Sequence, residues 1–204
     1  MQIVAANAWV EILLDVVKFI IFRGGTFLSK SGKLAICGVV SALSFICMML
    51  TGVITIGTYA LPALAGAFLI IPNIELSSKW ASSTYFVVSL LSIFLVPNKE
   101  AALIFIIFLG YYPILKTKIE RVNNIVIQYI IKLLLCNVSM VLSFIVAMKL
   151  LKIPKNSFEI FGIYLPWVFL IFGNVIFIMY DYAINDVIKI YNSRFRKYIK
   201  GMFK

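Results

Sequence analysis

PNKEAALIFIIFLGYYPILKTKIER, residues 97–121, is the stretch whose reading decides the fold of this chain. Lys99 and Glu100 precede an uncharged run from Ala101 to Leu115, and Lys116, Lys118, Glu120 and Arg121 close it. At ~1.5 Å per residue the uncharged run covers roughly 22 Å of a ~30 Å hydrocarbon core, and the flanking ions complete the crossing. The stretch therefore reads as a membrane-crossing helix with charge at both ends. Gly110, Tyr111, Tyr112 and Pro113 interrupt its regularity near the basic end.

Composition extends that reading to the whole chain. Of its 204 residues 63% are hydrophobic and only 13% charged, against ~25% charged in soluble domains. A globule of this length still exposes much of its surface and cannot hide so many apolar side chains. Strict apolar/polar alternation is absent, so the spans are helices, which satisfy their own backbone hydrogen bonds. A net charge of +11 in such a chain points to cytoplasmic loops and anionic lipid as a partner, not to nucleic acid. The absence of histidine removes Ser-His and Cys-His catalysis and His-dependent zinc sites. Cys37, Cys47 and Cys136 lie inside apolar runs and read as small buried residues. No phosphate loop, nucleophile elbow or paired acidic motif occurs, and Asp181 and Asp186, five apart, are badly spaced for one metal. The expectation is a protein that is not an enzyme, with no cofactor and no metal.

The fold expected is an all-α membrane protein, a bundle of six transmembrane helices with an N-terminal amphipathic helix and a basic C-terminal tail. Asn7, Glu11, Asp15 and Lys18 form a polar stripe on the first helix, which lies on the membrane or packs that stripe on the bundle. Residues 1–33 are thus an amphipathic lead-in and cytoplasmic linker, 34–180 the transmembrane domain and 181–204 the cytoplasmic tail. The spans are expected at about 34–50, 59–71, 80–96, 97–121, 125–150 and 160–180. With both termini inside, fourteen of the nineteen basic residues fall on the cytoplasmic side. Only Lys99, Lys149, Lys152 and Lys155 fall outside, which fits a multi-pass protein of the cell membrane.

Few polar groups interrupt the spans. Lys132 either snorkels to the inner surface or points inward, where Glu120, Tyr111 and Tyr112 lie on the same side. Asn137 reaches toward a ligand or a neighbouring helix. Lys99 and Glu100 stand beside the uncharged loop 51–58, whose Thr55 and Thr58 carry hydroxyls, and these four residues with Asn137 make the candidate substrate-binding set. Gly38 and Ala42, four apart, form a thin ridge for helix packing.

Six short helices, the small-residue span KLAICGVVSALSF (33–45) and the thin ALPALAGAFLIIP (60–72) resemble the substrate-binding S-components of energy-coupling-factor (ECF) transporters. The segment Gly-Tyr-Tyr-Pro-Ile-Leu-Lys (110–116) looks like that of uncharacterised bacterial membrane proteins near that family. The resemblance implies vitamin or other small-molecule uptake, with ligand captured outside under the loop 51–58. It also implies docking on a membrane coupling subunit with its ATPase subunits through Ala35, Gly38 and Ala42. The alternative is a structural or assembly membrane protein with no small-molecule ligand, binding a partner membrane protein or anionic lipid.

Overall fold

The structure is a computed structural model that describes residues 30–54, 57–150, 159–160, 163–164 and 166–195. The amphipathic lead-in over 1–22, Thr55, and the tail beyond 195 lie outside the described residues. Six helical segments follow one another: α1 Lys30–Leu50, α2 Ala60–Glu75, α3 Ser78–Leu95, α4 Lys99–Ile119, α5 Ile125–Leu150 and α6 Pro166–Ile190. A two-residue antiparallel ladder, Glu159–Ile160 with Ile163–Tyr164, precedes α6.

Four of these helices are long and apolar enough to cross a membrane, over Lys30–Leu50, Lys99–Ile119, Ile125–Val146 and Leu170–Ser193. The chain is therefore a multi-pass, membrane-embedded helical protein. Of the six spans expected, α2 and α3 are not among the four that are long and apolar enough to cross. At ~1.5 Å per residue α2 is only about 24 Å long, and α3 opens with Lys79, Ser82, Ser83 and Thr84. α2 also breaks at Leu69, dividing into Ala60–Phe68 and Ile70–Glu75. Pro72 has no N–H to offer the Phe68 carbonyl, which accounts for the bend.

Contacts at the helix ends give two poles. At one, Asn73 Nδ2 donates to Thr117 Oγ1 at 2.9 Å and Tyr191 to Glu75 Oε1 at 3.0 Å. At the other, Tyr59 donates to Glu100 Oε1 at 2.8 Å and Asn98 Nδ2 to Thr58 Oγ1 at 3.4 Å. The helices thus run alternately between the poles. α2 lies at the centre because it is thin. One side of it joins Val40, Met48, Val88 and Phe105 in an apolar cluster with α1, α3 and α4. The other joins Phe108, Tyr112, Cys136, Phe177 and Ile184 from α4, α5 and α6. All three cysteines are buried and none forms a disulfide.

The last helix departs from expectation. A span ending at 180 with a cytoplasmic tail from 181 gives way to a helix that runs to Ile190. Its periodicity continues because Ile184 and Ile188 fall one and two turns beyond Tyr180, and both pack on the core. The charge at 181 does not end the helix because it has partners inside the bundle.

Gly66 sets the closest approach of α2 and α4: a Cβ there would sit 2.2 Å from the Leu109 carbonyl oxygen. A backbone atom cannot step aside as a side chain can. We expect Gly66→Ala to lower stability by about 1–3 kcal/mol through overpacking. Gly38→Ala, where a Cβ meets nothing within 4 Å, should be neutral or slightly stabilising because alanine favours the helix. Thermal unfolding of the two variants in detergent measures the contrast.

Candidate functional site

The Gly-Tyr-Tyr-Pro break is built on a π-helical turn. Residues Phe105–Leu109 take one extra residue per turn, and Gly110 N–H bonds back to Phe105 O at 2.8 Å. Such a turn displaces carbonyls from the regular ladder. Two of them are served from other helices: Tyr85 of α3 donates to Ile106 O at 2.6 Å, and Tyr180 of α6 to Leu109 O at 3.1 Å. Pro113 then begins the regular helix Tyr112–Ile119, where a missing N–H is tolerated.

Beyond the turn, Tyr112, Lys116 and Glu120 follow at intervals of four and share one face. That face meets Lys132 of α5 and Asp181 of α6. Lys132 Nζ lies 2.9 Å from Glu120 Oε1 and 3.1 Å from Asp181 Oδ2. Lys116 Nζ lies 3.3 Å from Glu120 Oε1, contacts Asp181 Oδ1 directly and donates to the Asp181 carbonyl at 2.9 Å. The four charges alternate in a closed ring, Lys116, Asp181, Lys132, Glu120, with no net charge. Tyr112 donates to Asp181 Oδ1 at 2.5 Å. Lys116 is 0% exposed and Asp181 7%, whereas the Glu120 side chain, 34% exposed, gives the ring its one open edge.

The residues proposed from the sequence occupy other places. Glu100 is exposed and bound by Tyr59. Desolvation of the Tyr59 hydroxyl and the adjacent Glu100 carboxylate push that phenol up to about 12, so it donates at neutral pH. Lys99 Nζ donates to the Ile93 carbonyl at 2.8 Å and caps the end of α3. Thr58 meets Asn98, whose Oδ1 accepts from Ala101 N–H at 3.1 Å and caps the start of α4. Asn137 is not at that pole. It pairs with Asn174 of α6 through reciprocal amide bonds of 3.3 and 3.0 Å. Ala35, Gly38 and Ala42 are all exposed along one side of α1.

Lys132 points inward and meets Glu120, one of the partners its depth suggests, so it does not snorkel. Asp181 and Lys116 are the residues that sequence reasoning missed. Lys116 reads as a surface anchor because Lys118 and Arg121 follow it, and Asp181 as the start of a tail. The signal for both is position: Lys116 continues the Tyr112 face, and Asp181 stands in an apolar pattern that resumes at Ile184. Among the described residues no group of His, Cys, Asp and Glu is arranged to hold a metal. No family model matches the chain, and no characterised protein or solved structure matches it either. Nothing in these comparisons links the chain to the S-components.

Removing one anion from a buried ring leaves a cation unpaired, which typically costs about 3–5 kcal/mol. We expect that loss for Asp181→Asn. Asp186→Asn, whose partner Lys189 is 77% exposed, should cost no more than about 1 kcal/mol. Denaturation in detergent, comparing both variants with the parent, tests the ranking.

Proposed function

We propose that the protein is a non-enzymatic subunit of a larger assembly in the cell membrane, with six crossings and both termini on the cytoplasmic side. In this reading it captures a small molecule, a vitamin or similar nutrient, and hands it to a membrane coupling subunit driven by partner ATPases. The observation that carries the reading is the outer side of α1. Ala35, Gly38 and Ala42 are exposed there, and a Cβ at Gly38 would meet nothing within 4 Å. Small residues allow two helix backbones to approach closely, the usual basis of helix association in a bilayer. The same residues facing lipid offer little contact. Among the described residues nothing packs over the ridge, which leaves it open to a partner.

Charge supports the orientation. Lys30, Lys33, Lys79, Lys118, Arg121 and Lys189 gather at the pole of Glu75 and Tyr191, whereas the described part of the opposite pole carries Lys99 and Lys149. The ligand would enter at that opposite pole, where Thr58, Lys99 and Glu100 surround the Asn98 turn.

A second reading, a structural or assembly membrane protein without a small-molecule ligand, is favoured by one observation. Lys99, Glu100 and Asn137 each already bond to groups of the bundle. Gentle-detergent purification of tagged protein separates the two. Recovery of a coupling membrane subunit and ATPases, with a small molecule detected by mass spectrometry, is the outcome expected of a transporter subunit. A partner without any retained small molecule favours assembly, and no partner at all refutes both. Gly38→Leu should reduce recovered partner by at least ~10-fold, equivalent to about 1.4 kcal/mol, without changing the melting temperature.

A further inference from the structure

α5 and α6 are attached to the bundle differently from the other helices. Only 17% of each of their apolar windows is buried, against 50% for α4. Their buried side chains include Lys132, Ser139 and Asp181 beside Cys136, Phe177 and Ile184, so polar groups make up about half of what they bury. Those groups reach across to the rest of the bundle. Lys132 and Asp181 enter the charge ring, and the Ser139 hydroxyl meets the Tyr111 hydroxyl at 2.8 Å. Tyr180 serves the Leu109 carbonyl.

Between themselves the two helices are tightly joined. Asn137 and Asn174 exchange amide bonds, and Gly173 admits Met140 so closely that a Cβ would lie 2.0 Å from its terminal carbon. In a bilayer, lipid tails are as apolar as leucine, so apolar contact gives little reason for one helix pair to stay against another. Docking then draws its specificity from the polar contacts, beside the apolar packing of Cys136, Phe177 and Ile184 on α4. The ring among them is open to water at Glu120, where hydration can substitute for a broken pair.

We propose that α5 and α6 form one hairpin body that swings against α1–α4, and that the ring of Lys116, Asp181, Lys132 and Glu120 is its releasable latch. Release opens a cleft along α4 that starts at the Lys116 pole and passes the π-helical turn. The device does not depend on the identity of any partner or cargo.

Spin-label distances in lipid nanodiscs test it, with Cys37, Cys47 and Cys136 replaced by Ala. Label pairs are placed at exposed positions: Ser83 with Ala183 across the joint, Val126 with Ala183 within the hairpin, and Ser83 with Lys118 within the body. In Asp181→Asn the distance across the joint should lengthen by about 5 Å or more, on the order of one helical turn, while both internal distances stay fixed. An unchanged distance across the joint overturns the latch. Equal broadening of all three pairs also overturns it, because the ring then holds the whole fold and not a moving joint. If Asp181→Asn does not fold, Glu120→Gln, altered at the exposed edge, is judged by the same criteria.

Discussion

The Asp181 carboxylate is the group on which the second half of the molecule depends. Two lysines, Lys116 and Lys132, are enclosed between helices, and a buried cation without a partner is strongly destabilising. Both ammonium groups are held inside the bundle instead of reaching the surface. Each needs an anion, and Asp181 touches both while accepting from Tyr112. Glu120 closes the ring from the edge that water reaches. That arrangement fixes the rotation of α6 about its axis, since one helical step either way would take the carboxylate from the lysines.

The π-helical turn in α4 is what brings the ring together. One extra residue at Phe105–Leu109 rotates everything after it, so Tyr112, Lys116 and Glu120 face α5 and α6. The irregular backbone is tolerated because Tyr85 and Tyr180 satisfy the displaced carbonyls and Gly66 leaves room beside Leu109. Residues from α2, α3 and α6 therefore converge on one turn of α4. In hydrocarbon, where apolar faces are nearly interchangeable, such polar and steric matches select one packing among many.

Some of this was legible in the residues. The placement of α1 to α5 follows from apolar runs bounded by Pro, Gly and charge, because a helix in lipid must be continuous and uncharged over its core. The isolation of Lys132 announced a need for a partner, and Glu120 was within reach. Asp181 was not legible, because a charge after a long apolar run looks the same whether it ends a span or is paired inside one. The Asn137 and Asn174 pair was equally hidden, since an amide on a helix face does not declare which neighbour it will meet. Lys99 and Glu100 illustrate the reverse. Conspicuous in sequence, they bond to a helix end and to Tyr59 at the bundle's exposed pole.

The sequence by itself determined the solvent and the helical class: a multi-pass helical protein of the membrane, with its polar residues few enough to name. These are properties of composition and periodicity, local along the chain. Only the tertiary structure decided which charges are partners, that α6 continues through Asp181 to Ile190, and that Ala35, Gly38 and Ala42 face outward. The reason is physical: electrostatic pairing in a low-dielectric interior acts through space between residues as far apart in sequence as Lys116 and Asp181. No local pattern encodes the distance at which they meet.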